Sequence, residues 1–235
     1  MTKEFGSLPG INFTIKKHIK HGAGLGSSGA TSVACVYGLN KIFNLGLNLS
    51  QIIEFASIGE TVTGGKPHPD NVSAALLGGF VFVKSTNPIK IERINIPRIP
   101  VVMCVIKKPQ KTTRPFIPNN LPLTKVIEQI IFCTNVIHAI HTANIKSIGE
   151  AINYDYISEP VRGKFIPGYN ELKKKILNAG AYGCNISGGG STIFAICEEN
   201  LTQKIGEIFS NHFTRVNVEH EIVFTYTCNS GVQEI

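Results

Sequence analysis

Apolar and polar side chains alternate over residues 11–19, with Ile11, Phe13 and Ile15 on one face, and this period of two predicts a strand. From about Ser28 the apolar spacing becomes helical, carrying Val33, Ala34, Val36, Tyr37 and Ile42 and stopping near Asn44-Leu45-Gly46. Ser50 reads as the N-cap of a second helix over residues 51–62, on which Ile53, Ala56 and Glu60 share one face. An apolar segment over 74–83 follows, then a continuous apolar run at 101–106 that predicts a buried strand. Residues 124–142 place Val126, Ile127, Ile130, Ile131, Ile137 and Ile140 at helical spacing and predict a core helix. A basic helix over 169–178 ends at Gly180. Residues 183–195 read as two short strands joined by a glycine turn, and a helix near 201–209 and a strand near 216–225 close the pattern. Strand and helix runs stay separate, which predicts an α+β fold.

At 235 residues with 43% hydrophobic content, the chain can fill one large core or two modest ones. Its formal charge of +7 comes from scattered lysines and arginines, without an arginine-rich run or an aromatic-interleaved basic stripe. That disfavours nucleic acid and favours small anionic ligands. The six cysteines, Cys35, Cys104, Cys133, Cys184, Cys197 and Cys228, lie far apart with no C-x-x-C pair. They read as small buried hydrophobes in a reducing cytoplasm. No run reaches the roughly 18 consecutive apolar residues of a membrane span, and the first residues carry no apolar signal region. A cytoplasmic protein away from membranes is expected.

Candidate chemistry centres on Gly22, Ala23, Gly24, Leu25, Gly26, Ser27 and Ser28. Glycines at alternate positions let the backbone approach a ligand, the serines read as a helix cap, and the positive helix end favours an anion such as phosphate. The spacing is neither the dinucleotide fingerprint nor a P-loop with its Gly-Lys-Ser/Thr, and a flexible turn without a ligand is the plain alternative. Glu60, on an apolar helix face, must be paired or hold a metal. Residues 64–72 then set His68, Asp70 and Asn71 among prolines, either a stiffened turn where polar groups converge or a simple Asx-capped turn. His138 and His141 have a metal-compatible spacing but lack the Glu of an H-E-x-x-H pattern.

Taken together, Gly24-Leu25-Gly26-Ser27-Ser28-Gly29-Ala30, Gly59-Glu60, Pro67-His68-Pro69-Asp70-Asn71-Val72 and Leu76-Leu77-Gly78-Gly79-Phe80 closely resemble the GHMP small-molecule kinases. The His-Pro-Asp-Asn segment resembles their homoserine kinase branch. The resemblance covers about residues 11–225 and reaches three further stretches. Within 107–118, Arg114 and Pro118 match a segment in which a threonine and an arginine face the substrate; Gln110 stands at the threonine position, with Thr112 and Thr113 nearby. Residues 159–169 match the segment whose arginine, here Arg162, binds the substrate carboxylate. A planar guanidinium does so with two parallel bonds, the plain alternative being a surface salt bridge. Residues 183–195 match a motif in which the backbone of a glycine loop, here Gly188 and Gly189, touches phosphate or substrate. The family's Pro-x-x-Ser-Ala-Asn-Leu-Gly-x-Gly-x-Asp segment does not precede Gly22, so a sheet with an exposed edge and apolar surface is expected.

The resemblance implies a GHMP kinase fold, with an N-terminal domain over 1–98, incomplete at its start, and a ferredoxin-like C-terminal domain over 99–235. It implies transfer of the γ-phosphoryl group of ATP to the side-chain hydroxyl of L-homoserine, giving O-phospho-L-homoserine for threonine biosynthesis, by a cytoplasmic homodimer. In that scheme the residues from Gly22 to Ser28 hold the ATP phosphates, and Ser28 and Glu60 position Mg²⁺. Arg114 and Arg162 clamp the substrate carboxylate, while His68 and Asn71 fix its amino and hydroxyl ends. The candidate catalytic residues are Ser28, Glu60 and Arg114; no general base stands out, and positioning with electrostatic stabilisation does not require one. A kinase for another small alcohol and a non-catalytic nucleotide-binding relative are the two alternatives.

Overall fold

A computed structural model describes residues 6, 10–61, 67–107 and 113–234. They group into two compact units: one takes the described residues of 1–21, 26–95 and 228–235, the other those of 22–25 and 96–227.

The first unit contains helices α1 (Ser27–Ile42), α2 (Leu49–Gly59) and α3 (Pro69–Leu77), then the antiparallel ribbon β1 (Phe80–Thr86) and β2 (Ile89–Ile94). The apolar stripes read from the sequence meet here: Val33 and Val36 of α1, Ile52, Ile53 and Ala56 of α2, and Val72 and Leu76 of α3 form one core. The second helix starts earlier than expected because Asn48, not Ser50, is its N-cap. Asn48 Oδ1 accepts from Gln51 N at 3.0 Å, and Gln51 Oε1 accepts from Asn48 N at 3.0 Å. This reciprocal pair satisfies two helix-end donors at once, which a serine one turn fraction later cannot do. The helix ends at Gly59 with Glu60 as C-cap, and the expected end at Val62 lies outside the described residues.

The segment 228–234 belongs to this unit and ties it together. Gly79 N donates to Cys228 O at 2.9 Å, Val232 N to Leu76 O at 3.1 Å, and Arg93 Nη2 to Asn229 O at 2.8 Å. The strand expected at 11–19 is not formed. Ile11, Phe13, Ile15 and Ile19 are exposed, and residues 10–18 make no backbone hydrogen bond among the described residues. Alternation marks a segment fit to pair, but a strand exists only where a neighbouring ladder accepts it.

The second unit holds β3 (Pro100–Ile106), α4 (Leu123–His141), α5 (Ile145–Ala151), α6 (Glu159–Arg162), α7 (Tyr169–Asn178), β4 (Gly183–Ile186), β5 (Ile193–Ile196), α8 (Thr202–Arg215) and β6 (His220–Tyr226). Its sheet runs β4-β5-β3-β6, with every pairing antiparallel. Val102 and Cys104 of β3 and Ile193 and Ala195 of β5 pack with Leu172 and Ile176 of α7 and Ile205, Phe209 and Phe213 of α8. Helix α8 runs past its expected end because His212 and Phe213 prolong the buried stripe, and Asn217, at φ 54°, then turns the chain so that β6 begins only at His220.

Helix α4 forms as predicted but is not a core helix. Only Ala139 and Ile140 are buried, while Leu123 is 73%, Ile127 49%, Ile130 60% and Ile131 51% exposed. Its spacing licenses a buried stripe, but among the described residues only part of it is covered: Phe132 stacks on Tyr154, and Ala139 and Ile140 are buried at its end. By length and mean hydropathy this helix is long and apolar enough to cross a membrane, although Lys125 and Glu128 interrupt any unbroken apolar run. The cysteines also divide: Cys104, Cys184 and Cys197 are buried, Cys35 is half-buried, and Cys133 and Cys228 are exposed, so the expectation of six buried thiols holds for only part of the set.

Candidate functional site

In the first unit the candidate groups gather at the start of α1. Its N-cap is Gly26, in the left-handed conformation, with no side-chain cap. The two serines are therefore the first helical residues and not caps: Ser27 Oγ donates to Ile19 O at 3.5 Å, and the Ser28 hydroxyl has no partner among the described residues. The first ladder bond runs from Ala30 N to Gly26 O at 2.9 Å, which leaves the N–H groups of Ser27, Ser28 and Gly29 without an acceptor among the described residues. Three such amides at the positive end of a long helix are an arrangement that favours an anion.

Beside α1 stand two of the other predicted groups, Asn71 and Glu60, and a third, His68, opens the helix that carries Asn71. Asn71 of α3 packs against the start of α1, its Oδ1 lying 3.5 Å from the position a Cβ on Gly26 would take. Ser32, one turn along α1 from Ser28, donates to Glu60 Oε1 at 3.4 Å, and Glu60 is only 7% exposed. The buried carboxylate is thus paired, held beside α1 by Ser32. His68 is the half-buried N-cap of α3 and makes no side-chain capping bond.

In the second unit, Gly22, Ala23, Gly24 and Leu25 dock onto the turn between β4 and β5. Thr192 N donates to Ala23 O at 3.1 Å and Ser187 Oγ to Gly24 O at 2.9 Å. Gly24 sits at φ 81°, and a Cβ there would lie 2.2 Å from Ser187 O, so only glycine fits. Gly188 is exposed, its neighbour Gly189 half-buried, and the carbonyl of Gly188 accepts a bond from Arg162 Nη1. Arg162 Nε is buried with no partner among the described residues. Burial lowers the pKa of the Arg162 guanidinium; Asp155 opposes that shift, and the nearby Arg114 adds to it. Two guanidiniums within electrostatic reach, one with an orphaned donor, suit an anion with planar oxygens. Arg114 opens an exposed 3₁₀ turn, Arg114–Phe116, next to the buried Thr113. Gln110 and Thr112 lie outside the described residues.

No group of three or more His, Cys, Asp or Glu able to hold a metal occurs among the described residues, His138 and His141 included. Two contributors escaped the sequence reading. Asp155 Oδ1 accepts from the N–H groups of Ile157 and Ser158 at 2.8 Å each, and its Oδ2 accepts from Glu159 N at 3.2 Å, which sets the entry to α6. Ser187 holds the glycine loop. An acidic residue four positions ahead of Glu159-Pro160 was the available signal for the first; the second, a serine distant in sequence from its partner, offered none.

The families with matching profiles are the GHMP kinases N terminal domain, over residues 1–79, and the GHMP kinases C terminal family, over residues 136–215. A homoserine kinase of Methanococcus vannielii is 32% identical over 226 residues, which span 93% of this chain and 74% of that protein. A homoserine kinase of Pyrococcus abyssi is 33% identical over 227 residues, spanning 96% and 76% respectively. The crystal structure of homoserine kinase from Cytophaga hutchinsonii superposes with a TM-score of 0.83 at 31% identity, covering 92% of this chain and 69% of that one. With identities above 30% over most of this chain and about two thirds or more of those relatives, and with an α+β architecture that superposes on theirs, the chain belongs to the homoserine kinases within the GHMP kinase superfamily.

Proposed function

We propose that the protein transfers the γ-phosphoryl group of ATP to the side-chain hydroxyl of L-homoserine, breaking the bond to the ADP oxygen and forming one to the hydroxyl oxygen, which gives up its proton. The observation that carries this reading is the open end of α1, where the N–H groups of Ser27, Ser28 and Gly29 have no acceptor among the described residues. They would hold the ATP phosphates together with the backbone from Gly22 to Gly26. The orphaned Nε of Arg162, with Arg114 nearby, supports the carboxylate clamp for the amino-acid substrate. Asn71, packed against Gly26, and His68 would orient the amino and hydroxyl ends, and the exposed backbone of Gly188 with Gly189 would border the substrate.

The Ser28 hydroxyl and the Glu60 carboxylate are hard oxygen donors that suit Mg²⁺, Glu60 being held beside α1 by Ser32, one helical turn on from Ser28, and the ion would neutralise charge on the transferred group when bound. Division into domains over 1–98 and 99–235, a cytoplasmic location and a homodimer belong to the same reading, supported by family membership.

The test is ADP release from Mg-ATP with and without L-homoserine. Turnover that requires homoserine, with O-phosphohomoserine identified by mass spectrometry, is the expected result. Equal or greater turnover with mevalonate or a sugar in its place would assign the chain to another small alcohol, and ATP binding by folded protein without turnover would make it a non-catalytic relative.

A further inference from the structure

We infer that Lys173 is a positioning residue for substrate recognition, acting through Glu159 to aim Arg162. The inference rests on the reading of Arg162 as the carboxylate clamp. Arg162 sits at the end of α6, a helix of 4 residues, too short to hold its own geometry. Something outside α6 must fix it, and three contacts do.

At its start, Asp155 accepts the N–H groups of Ile157, Ser158 and Glu159. The Glu159 carboxylate then points away from solvent and is held on one oxygen by two donors, Lys173 Nζ and Tyr169 OH, the latter at 2.6 Å. Both partners of the ion pair are largely buried, with side chains 14% exposed for Lys173 and 12% for Glu159. Lys173 Nζ donates also to Asn153 O at 2.8 Å, and the Asn153 side chain bonds Tyr182 O and Cys184 N at 2.9 Å each. The anchor therefore runs from β4 and its approach through Lys173 to Glu159. At the other end of α6, Gly163 lies flat on the Tyr169 ring, where a Cβ would meet Cδ1 at 2.7 Å. Tyr169 thus grips both ends of the turn that carries Arg162.

An ion pair this buried is weak evidence for stability, since apolar residues of similar volume can replace such pairs without loss. Its value here is geometric: with the pair broken, Glu159 is free to turn toward the neighbouring guanidinium of Arg162 and compete with the substrate carboxylate. Lys173 touches no proposed substrate atom, so its effect must appear in recognition of the carboxylate alone.

The experiment compares Lys173→Met, Lys173→Arg and Glu159→Gln with the unaltered chain, measuring KM for L-homoserine, KM for ATP, and kcat/KM for L-homoserine relative to its uncharged carboxamide. Expected for Lys173→Met is a homoserine KM raised roughly tenfold with ATP KM unchanged, and a preference for the acid over the amide reduced by a similar factor. Lys173→Arg should restore most of both. Glu159→Gln, which removes the competing charge while keeping the volume, should lose less of the preference than Lys173→Met. An acid-over-amide preference within about twofold of the unaltered chain, or equal rises in both KM values, overturns the positioning role. Should Lys173→Met fail to fold, the same two readings on Lys173→Gln, which also removes the charge but keeps a polar end, decide. If the unaltered chain already lacks a preference for the acid, the clamp reading of Arg162 fails first, a result distinct from failure of Lys173.

Discussion

Arg162 and Glu60 illustrate how single side chains divide the proposed chemistry. The orphaned, buried Nε of Arg162 is costly unless an anion completes it. Removing the guanidinium with Arg162→Ala should therefore raise the homoserine KM by roughly 30-fold or more while leaving the ATP KM within a small factor. Steady-state kinetics with each substrate varied in turn checks this, and equal rises would remove Arg162 from the substrate clamp. Glu60 is buried and paired with Ser32, so Glu60→Gln keeps the volume and most of the hydrogen bonding but deletes the charge that the proposed magnesium ion would need. The expected outcome is a fall in kcat on the order of 100-fold with a folded protein, read together with a raised Mg²⁺ requirement. Both residues were legible as candidates, Arg162 from its Ile-Pro-Gly-aromatic context and Glu60 from its place on an apolar face. Gly24 was legible for a different reason, because alternate glycines announce a backbone that must pass close to something; that the something is Ser187 O was not.

At the scale of elements, caps and partners decided what periodicity could not. The reciprocal Asn48–Gln51 bonds start α2. Asn48→Ala should destabilise the protein by about 1 kcal/mol, lowering Tm by roughly 2–4 °C in a chain of this size, and Ser50→Ala should do neither. Thermal unfolding of the two variants side by side separates the sequence expectation from the observed cap. Helix α4 and residues 11–19 teach the complementary lesson. Each has the apolar pattern of its element, and in each the pattern states only which residues could be buried. Whether they are depends on a neighbour: α4 turns just Ala139 and Ile140 inward, and residues 11–19 have no ladder among the described residues.

Across the whole molecule, the cysteines offer a measure of how the cores protect their contents. Burial pushes the thiols of Cys104 and Cys184 up to about 12 and that of Cys197 up to about 11, whereas Cys133 and Cys228 are exposed. At pH 8 an alkylating reagent should label Cys133 and Cys228 rapidly in native protein, and Cys104, Cys184 and Cys197 only on unfolding. Peptide mapping after timed labelling gives the order directly; early labelling of Cys184 would contradict the packing of the sheet against α7 and α8.

What the sequence by itself determined was local and chemical. Helix and strand periods, glycines at alternate positions and a carboxylate on an apolar face follow from short-range sterics and side-chain type and were enough for the α+β class and for Glu60 and the glycine loop as candidates, while the family and the role expected of Arg162 came from the resemblance of whole motifs. Only the tertiary structure decided which apolar faces find partners, that segment 228–234 returns to the first unit, that Ser187 and Thr192 clasp the glycine loop, and that Lys173 reaches Glu159. Those contacts join residues far apart in the chain, and their free energy depends on which surfaces meet, a quantity no local pattern contains.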